Sequence, residues 1–283
     1  MKNIWDRVDF IANKISEKKD NCSEKNNPIK IPLKDNVYLP VTRTNRIPVP
    51  NTILRSALFG LVAKGKRKIE KRVLKSTLNG YTVRYSGEQL DQADLDVWLE
   101  CLQRCQQIPL GNIVKFSSYE FLKSINRNTG KSAHEWLKSV FFRLKFNDIE
   151  ISDGKYTYSG SLISEHFRDE ETSENCLILN PRIVDCFGDV GWTGITKTLR
   201  LKLKGKPLTQ WLYSFYSSHA KSFPIKVETI KILCGSEVSE LKTFKQKLKK
   251  ALLELSYVTD WHCEIDCTNK VVVKKVVKKN ESI

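Results

Sequence analysis

The strongest constraint on this fold is a run of elements that occurs twice along the chain. In the first copy a short strand over Val114–Phe116 leads into a helix over Tyr119–Ile125 and a longer helix over Thr129–Phe146. Strands over Asn147–Ser152 and Tyr156–Ser164 follow, joined at Asp153-Gly154, a strong hairpin signal between alternating residues. Cys176–Asn180 can add a third strand. In the second copy Thr193–Leu203 reads as a strand and Lys206–Ser217 as a helix with Pro207 in its first turn. Ile225–Cys234 reads as a short helix stopped by Gly235, and a long helix capped by Ser236 runs to Leu255. Strands over Tyr257–Asp266 and Lys270–Val277 then turn at Thr268-Asn269. Helix, helix, hairpin is the order of a helix-turn-helix with a β-wing. The expected fold is therefore α+β, with tandem winged-helix domains. The first lies with a basic segment in residues 51–187 and the second in residues 188–283.

Two further segments flank this repeat. Ile4, Trp5, Val8, Ile11 and Ile15 give residues 3–19 the spacing of an amphipathic helix, suited to docking on the body, to a partner or to self-association. Residues 20–50 hold five of the nine prolines, which excludes helix over most of that stretch and marks it as a linker. Together they form an N-terminal extension, residues 1–50. Glu88–Gln107 reads as a helix capped by Ser86 or Gly87, with an apolar stripe of Leu90, Leu95, Trp98, Leu99 and Leu102. Its five acids against Arg104 set it apart from any polyanion-binding face.

Charge narrows the function. The formal net charge is +16, and a chain this basic is expected to meet a polyanion, with nucleic acid as the default. Between Arg43 and Arg84 there are eleven Lys/Arg and only one acid, Glu70. Lys64, Lys66, Arg67 and Lys68 form the densest patch there, suited to phosphates or to a solvated loop. No apolar run approaches the ~18 residues of a membrane span. The opening Met-Lys-Asn-Ile-Trp-Asp has an early acid and no small-residue cleavage site, so a cytoplasmic location is expected. Cys101/Cys105 and Cys263/Cys267 lack the usual zinc spacings, so no metal is expected.

The long helices carry the candidate contacts. In the second, Val238, Leu241, Phe244, Leu248, Leu252 and Leu255 make one apolar stripe. Ser239, Thr243, Gln246 and Lys250 point away from it, flanked by Lys242 and Lys247. Lysine serves phosphates, and Gln, Ser and Thr serve base edges. Lys242, Thr243, Gln246 and Lys250 are the candidates here. In the first, Ala133, Trp136, Leu137, Val140, Phe141 and Leu144 face inward. Lys131, Ser132, Glu135, Lys138 and Ser139 are the outward candidates, and a carboxylate such as Glu135 can accept from a cytosine amino group. Lys155 and Tyr156 sit on the expected first wing. The C-terminal run Lys270–Lys279 alternates blocks of valine and lysine, suited to a protected edge strand or to a second wing.

Catalytic motifs break down on inspection. Gly130-Lys131-Ser132 resembles the end of a P-loop, but Ile125 stands where that loop needs glycine. Gly188, Gly191 and Gly194 are not spaced as a dinucleotide fingerprint. His134-Glu135 lacks the second histidine of a zincin site, and none of the four histidines lies in a nucleophile motif. No catalytic residue and no cofactor are expected.

Several stretches resemble the TrfA family of plasmid replication initiators. They are Pro50-Asn-Thr-Ile-Leu-Arg-Ser-Ala-Leu-Phe59, Gly87-Glu-Gln-Leu-Asp-Gln-Ala-Asp-Leu-Asp-Val-Trp98, Pro109-Leu-Gly111, Thr129-Gly-Lys-Ser132, Tyr158-Ser-Gly-Ser-Leu-Ile163, Lys206-Pro-Leu-Thr-Gln-Trp-Leu212 and Phe215-Tyr-Ser-Ser-His219. The resemblance covers roughly residues 45–255. It implies binding of repeated origin sequences (iterons) in duplex DNA, opening of the adjacent AT-rich duplex, and recruitment of the host replication initiator, the replicative helicase and the sliding clamp. It also implies active monomers and a homodimer held inactive. One departure stands out: of the Gln-Leu-x-Leu-Phe clamp-binding segment only the fragment Ser56-Ala-Leu-Phe59 is found. A tandem winged-helix transcriptional regulator, a metal-dependent or covalent-adduct DNA enzyme, and an RNA-binding protein are the competing readings. The last lacks a run of strand aromatics for stacking bases.

Overall fold

The computed structural model describes residues 37–42, 45–63, 65–78, 81–152, 157–172, 174–187 and 191–275. The expected N-terminal helix, most of the proline-rich stretch, Lys64, the 153–156 turn with Lys155 and Tyr156, and residues 276–283 lie outside them. Along the described chain come β1 (Arg46–Pro50), a single helical turn α1 (Asn51–Leu54), β2 (Phe59–Gly60), β3 (Ile69–Leu78), β4 (Tyr81–Glu88) and β5 (Leu90–Asp91). Next are α2 (Gln92–Arg104), β6 (Val114–Ser117), α3 (Ser118–Ser124), α4 (Lys131–Lys145), β7 (Asp148–Ser152), β8 (Thr157–Gly160), β9 (Ile163–Arg168) and β10 (Glu174–Leu179). A 3-10 turn over Pro181–Phe187 leads to β11 (Trp192–Thr196), α5 (Lys197–Lys202), α6 (Pro207–Ser217), β12 (Ile225–Lys226), α7 (Val227–Leu233), α8 (Leu241–Thr259), β13 (His262–Ile265) and β14 (Lys270–Lys274).

The repeat is present, with its strands redistributed. Each unit runs helix, strand, helix, helix, strand, strand: α2-β6-α3-α4-β9-β10 and α6-β12-α7-α8-β13-β14. In both, the first strand pairs with the last, giving three-stranded sheets ordered β6-β10-β9 and β12-β14-β13. The two strands that flank residues 153–156 pair as β7–β8, with Ser152 opposite Thr157. It is not the hairpin of the first unit. β7 continues onto β4 and builds a separate four-stranded sheet, β3-β4-β7-β8. The expected strand Tyr156–Ser164 is broken at Ser161-Leu162, where the chain leaves that sheet and enters β9. The expected third strand, at β10, is the central one.

Helix ends explain the other differences. Ser86 and Gly87 lie in β4. The cap of α2 is Asp91, whose carboxylate accepts from the N–H groups of Ala93 and Asp94 while Asp94 accepts from the N–H of Asp91. The long α8 runs past Leu255 to Thr259 and stops at Asp260 in the left-handed region, so its strand starts later than the sequence pattern suggests. The stretch 193–203 divides into β11 and α5 rather than one strand. Ile225–Cys234 likewise divides into β12 and α7. Pro48 and Pro50 belong to β1, opposite Gly194 and Trp192 of β11, at alternate positions where no N–H is needed by the partner.

One core runs through both units. Most of the expected inward stripes is buried, Ala133, Leu137, Val140, Phe141 and Leu144 on α4 and Phe244, Leu248, Leu252 and Leu255 on α8, while Trp136, Val238 and Leu241 are half-buried against the core. The joint between the units is polar. Arg200 of α5 is 1% exposed. Its Nε–H donates to Asp96, its Nη1 to the Gln210 carbonyl at 3.2 Å and Ser214 Oγ at 2.7 Å, and its Nη2 to the Gln92 carbonyl at 3.0 Å and Gln92 Oε1 at 2.9 Å. All five guanidinium donors are used, which is what burying the charge requires. Arg200→Ala is expected to destabilise the protein by about 3–5 kcal/mol in urea unfolding, because Asp96 and two carbonyls lose their partner. A loss below about 1 kcal/mol would show that the joint is not a stabilising contact.

His166 of β9 joins the hairpin to α4. Its ring stacks on Phe141 at 4.4 Å, and Nε2–H donates to Asn175 Oδ1 at 3.0 Å, whose amide donates to Ser118 Oγ at 2.8 Å. Burial pushes the His166 pKa down from its ordinary value. The folded state therefore binds fewer protons than the unfolded chain, and stability falls as pH drops below about 6.5. Unfolding midpoints measured from pH 7 to pH 5 should decline less steeply in His166→Gln than in the parent. Equal slopes would remove His166 from the acid sensitivity.

Candidate nucleic-acid interface

α4 and α8 occupy the same place in the order of the two units, each as the longer helix that follows a short one, α3 or α7. In α8, Lys242, Gln246, Lys247, Lys249 and Lys250 are exposed, and Thr243 and Lys245 are half-buried at the flanks. Among the described residues none of these five lysines has a carboxylate partner within ion-pair distance. The one acid of the helix, Glu254, is taken by Thr209 at 2.9 Å and Lys206 at 3.4 Å. Thr243 Oγ1 donates to Glu240 at 3.1 Å, so it is partly committed to the start of the helix. Lys242 and Lys245 lie at the positive end of the α8 dipole, where a cation costs stability and an anion is welcome. Leu253 and Tyr257 are exposed further along the outward side.

α4 is more divided. Lys131, Ser132 and Glu135 are exposed at its N-terminal half. Lys138 is held between Glu135 at 3.2 Å and Glu170 at 2.8 Å. Both carboxylates raise its pKa, so it stays charged but locally neutralised. Ser139 Oγ donates to the Trp136 carbonyl at 2.7 Å and turns away from solvent. Phe142 and Phe146 are exposed at the C-terminal end of α4, their tilted rings 4.5 Å apart. The tip of the β9–β10 hairpin carries Asp169, Glu170 and Glu171, so this loop does not supply the cations expected of a phosphate-gripping wing.

The basic cluster separates into unlike members. Lys66 is exposed. Lys68 is exposed and paired with Glu237 at 2.7 Å, a contact that solvent makes weak. Arg67 points inward: it donates to Asp91, to Asp94 at 2.8 Å and to the Gln89 carbonyl. Its charge serves the fold, and it is withdrawn from the phosphate-binding set. Arg143 of α4 meets the same Asp94 at 2.8 Å from the other side.

Four basic residues lie outside the candidates that the sequence pattern picks out. Lys245 and Lys249 are signalled by their spacing on α8. Arg127 and Lys204 come from different units and line one cavity, and nothing local in the sequence pairs them. Among the described residues no group of three or more His, Cys, Asp or Glu could hold a metal ion, and no helix is long and apolar enough to cross a membrane.

Comparison with known proteins places this geometry in context. The curated plasmid replication initiator protein TrfA of Escherichia coli is 24% identical over 216 residues. That alignment takes in 73% of this chain but 56% of the relative, so the chain spans little more than half of that protein's length. Among solved structures, domains 2 and 3 of RctB superpose with a TM-score of 0.58 at 14% identity, covering 81% of this chain and 99% of that one. The Pi initiator protein, solved in complex with iteron DNA, superposes with a TM-score of 0.52 at 13% identity, covering 86% and 95%. At these identities the two structures speak for the fold alone. The model of the TrfA protein family matches residues 8–264, and the chain belongs to that family.

Proposed function

We propose that this protein is a plasmid replication initiator that binds iterons in duplex DNA through two winged-helix modules, residues 51–187 and 188–283. The observation that carries the reading is α8: a helix in the second position of a helix–turn–helix pair, with five lysines that no described carboxylate neutralises. In this reading α8 and α4 each enter a major groove. Gln246 reads a base edge, Lys242 and Lys250 hold phosphates, and Thr243 supports them. Lys131, Ser132 and Glu135 are the α4 contacts, with Lys138 and Ser139 beside them. Lys66 and Lys68 extend the backbone contact. The β13–β14 hairpin, with Lys270 and Lys274, acts as the second wing. Family membership supports the further steps, opening of the origin and recruitment of the host initiator and helicase. The likeness to a structure solved on iteron DNA supports duplex DNA as the ligand.

Selection of bound duplexes from a random pool tests this, with purified protein at ~150 mM salt and without metal or nucleotide. One enriched motif of about 15–20 base pairs is expected, since two linked helices read grooves one turn apart. Enrichment of no motif, with binding that collapses as salt rises, would reduce the affinity to non-specific charge. Occurrence of the motif in tandem copies at a plasmid origin then separates an initiator from a regulator.

The two residue classes should behave differently on the selected duplex. Lys242→Ala should weaken binding to all sequences and lower the salt slope by about 0.9. Gln246→Ala should relax preference at one base pair, at a cost of about 1–3 kcal/mol there. A uniform loss for Gln246→Ala would remove it from base reading.

A further inference from the structure

A cavity of about 580 Å³ opens at the joint between the two units. Its walls come from the α3–α4 turn (Asn126, Arg127), from the first turns of α4 (Ser132, Trp136) and from the α5–α6 turn (Lys204, Gly205). Gly205 has φ 79°, a left-handed conformation that turns the chain sharply between Lys204 and Pro207. The Arg127 guanidinium lies 3.2 Å from the centre of the Trp136 ring, so the indole fixes its plane. Lys204 Nζ donates one hydrogen to the Asn126 carbonyl, which leaves two of its three donors free.

Neither cation has a carboxylate within ion-pair distance among the described residues. The two acids in the wall are already engaged: Asp96 with Arg200 and with Gln210 at 2.9 Å, and Asp91 with Arg67 and the start of α2. Counting those partners, the cavity holds two uncompensated positive charges. Burial lowers the Arg127 pKa against the opposing pull of Asp91, Asp96 and Asp94, and burial together with the Arg127 charge lowers that of Lys204 against Asp96. Two half-buried cations on one cavity, whose wall carboxylates are already paired with other cations, make an arrangement that an incoming anion relieves. The same cavity receives the N-terminus of α4, a 15-residue helix whose N-cap is Gly130 and has no side chain to satisfy the first amide groups.

We propose that this cavity is a phosphate-binding site, in which Arg127 of the first unit and Lys204 of the second close on one phosphate group at the N-terminus of α4. Within the proposed function, on which this assignment rests for its source, the phosphate is that of the duplex backbone between the two grooves that α4 and α8 enter. The site then works only when both units sit on the same DNA. A free phosphate or pyrophosphate would be recognised by the same groups.

The test compares the full-length protein with Lys204→Ala and with Arg127→Ala/Lys204→Ala. Lys204 is half-exposed at a turn, so the single variant keeps the fold. Thermal unfolding checks both. On the selected duplex, loss of the one phosphate contact in the double variant should reduce the slope of log Kd against log salt by about 0.9, and Lys204→Ala by part of that, with equal weakening on matched and mismatched sequences. In parallel, the protein without DNA is titrated with inorganic phosphate and with pyrophosphate by calorimetry. A reduced slope identifies the DNA backbone as the source. An unchanged slope, with pyrophosphate or phosphate binding that the double variant abolishes, identifies a free phosphate. An unchanged slope with no phosphate binding by the parent overturns the proposal. Failure of the parent protein to prefer any duplex would instead overturn the iteron reading, and the calorimetry would still decide the cavity.

Discussion

The two units are held in register by the burial of one guanidinium, that of Arg200. A guanidinium inside a protein is tolerable only when every N–H finds an acceptor. Here the acceptors come from α2 of the first unit and α6 of the second, with Arg200 itself on the helix that connects them. The charge can be satisfied in one relative placement of the two units. That placement decides where α4 and α8 stand with respect to each other. Asp94 does the equivalent work inside the first unit. It is 0% exposed and joins the start of α2 to Arg143 of α4 and to Arg67 of the segment before β3.

This makes α2 the place where the basic character of the chain is partly neutralised. Asp91 and Asp94 take Arg67, Asp94 takes Arg143, Asp96 takes Arg200, and Glu100 takes Arg104 and Lys197. A helix whose acids set it apart from any polyanion-binding face is what holds α4 against the first unit and ties the second unit to it. Charge that α2 does not absorb stands elsewhere, on the lysines of α8 and on Arg127 and Lys204 in the cavity at the joint, which have no ion-paired carboxylate among the described residues. The contrast matters more than the net +16. Charge spent inside the fold fixes geometry, and charge left outside it attracts phosphate.

Much of this was legible in the sequence because it is local. The inward stripes of α4 and α8 follow helical spacing, and both helices bury those residues. The Asp153-Gly154 turn is a two-residue signal, and its two strands do pair. Pairings over long separations were not legible. Nothing near Asp148–Ser152 says that its other neighbour is Tyr81–Glu88, and the strand partner of Val114–Ser117 lies sixty residues on, in Glu174–Leu179. The first hairpin was therefore assigned to the wrong sheet. Arg67 fails for the same reason. Beside Lys66 and Lys68 it is one more cation, and only the distant Asp91 and Asp94 turn it inward. Arg127 and Lys204 meet across the two units, so no window of sequence contains both.

In the proposed function, two units fixed together by a buried charge read two neighbouring grooves of one duplex. Hydroxyl-radical footprinting of the protein on its selected duplex measures this directly. The account predicts two clusters of protected sugars whose centres lie about one helical turn, ~10.5 base pairs, apart and which appear together over the same protein concentrations. A single cluster spanning a few base pairs, or two that fill independently, would contradict it.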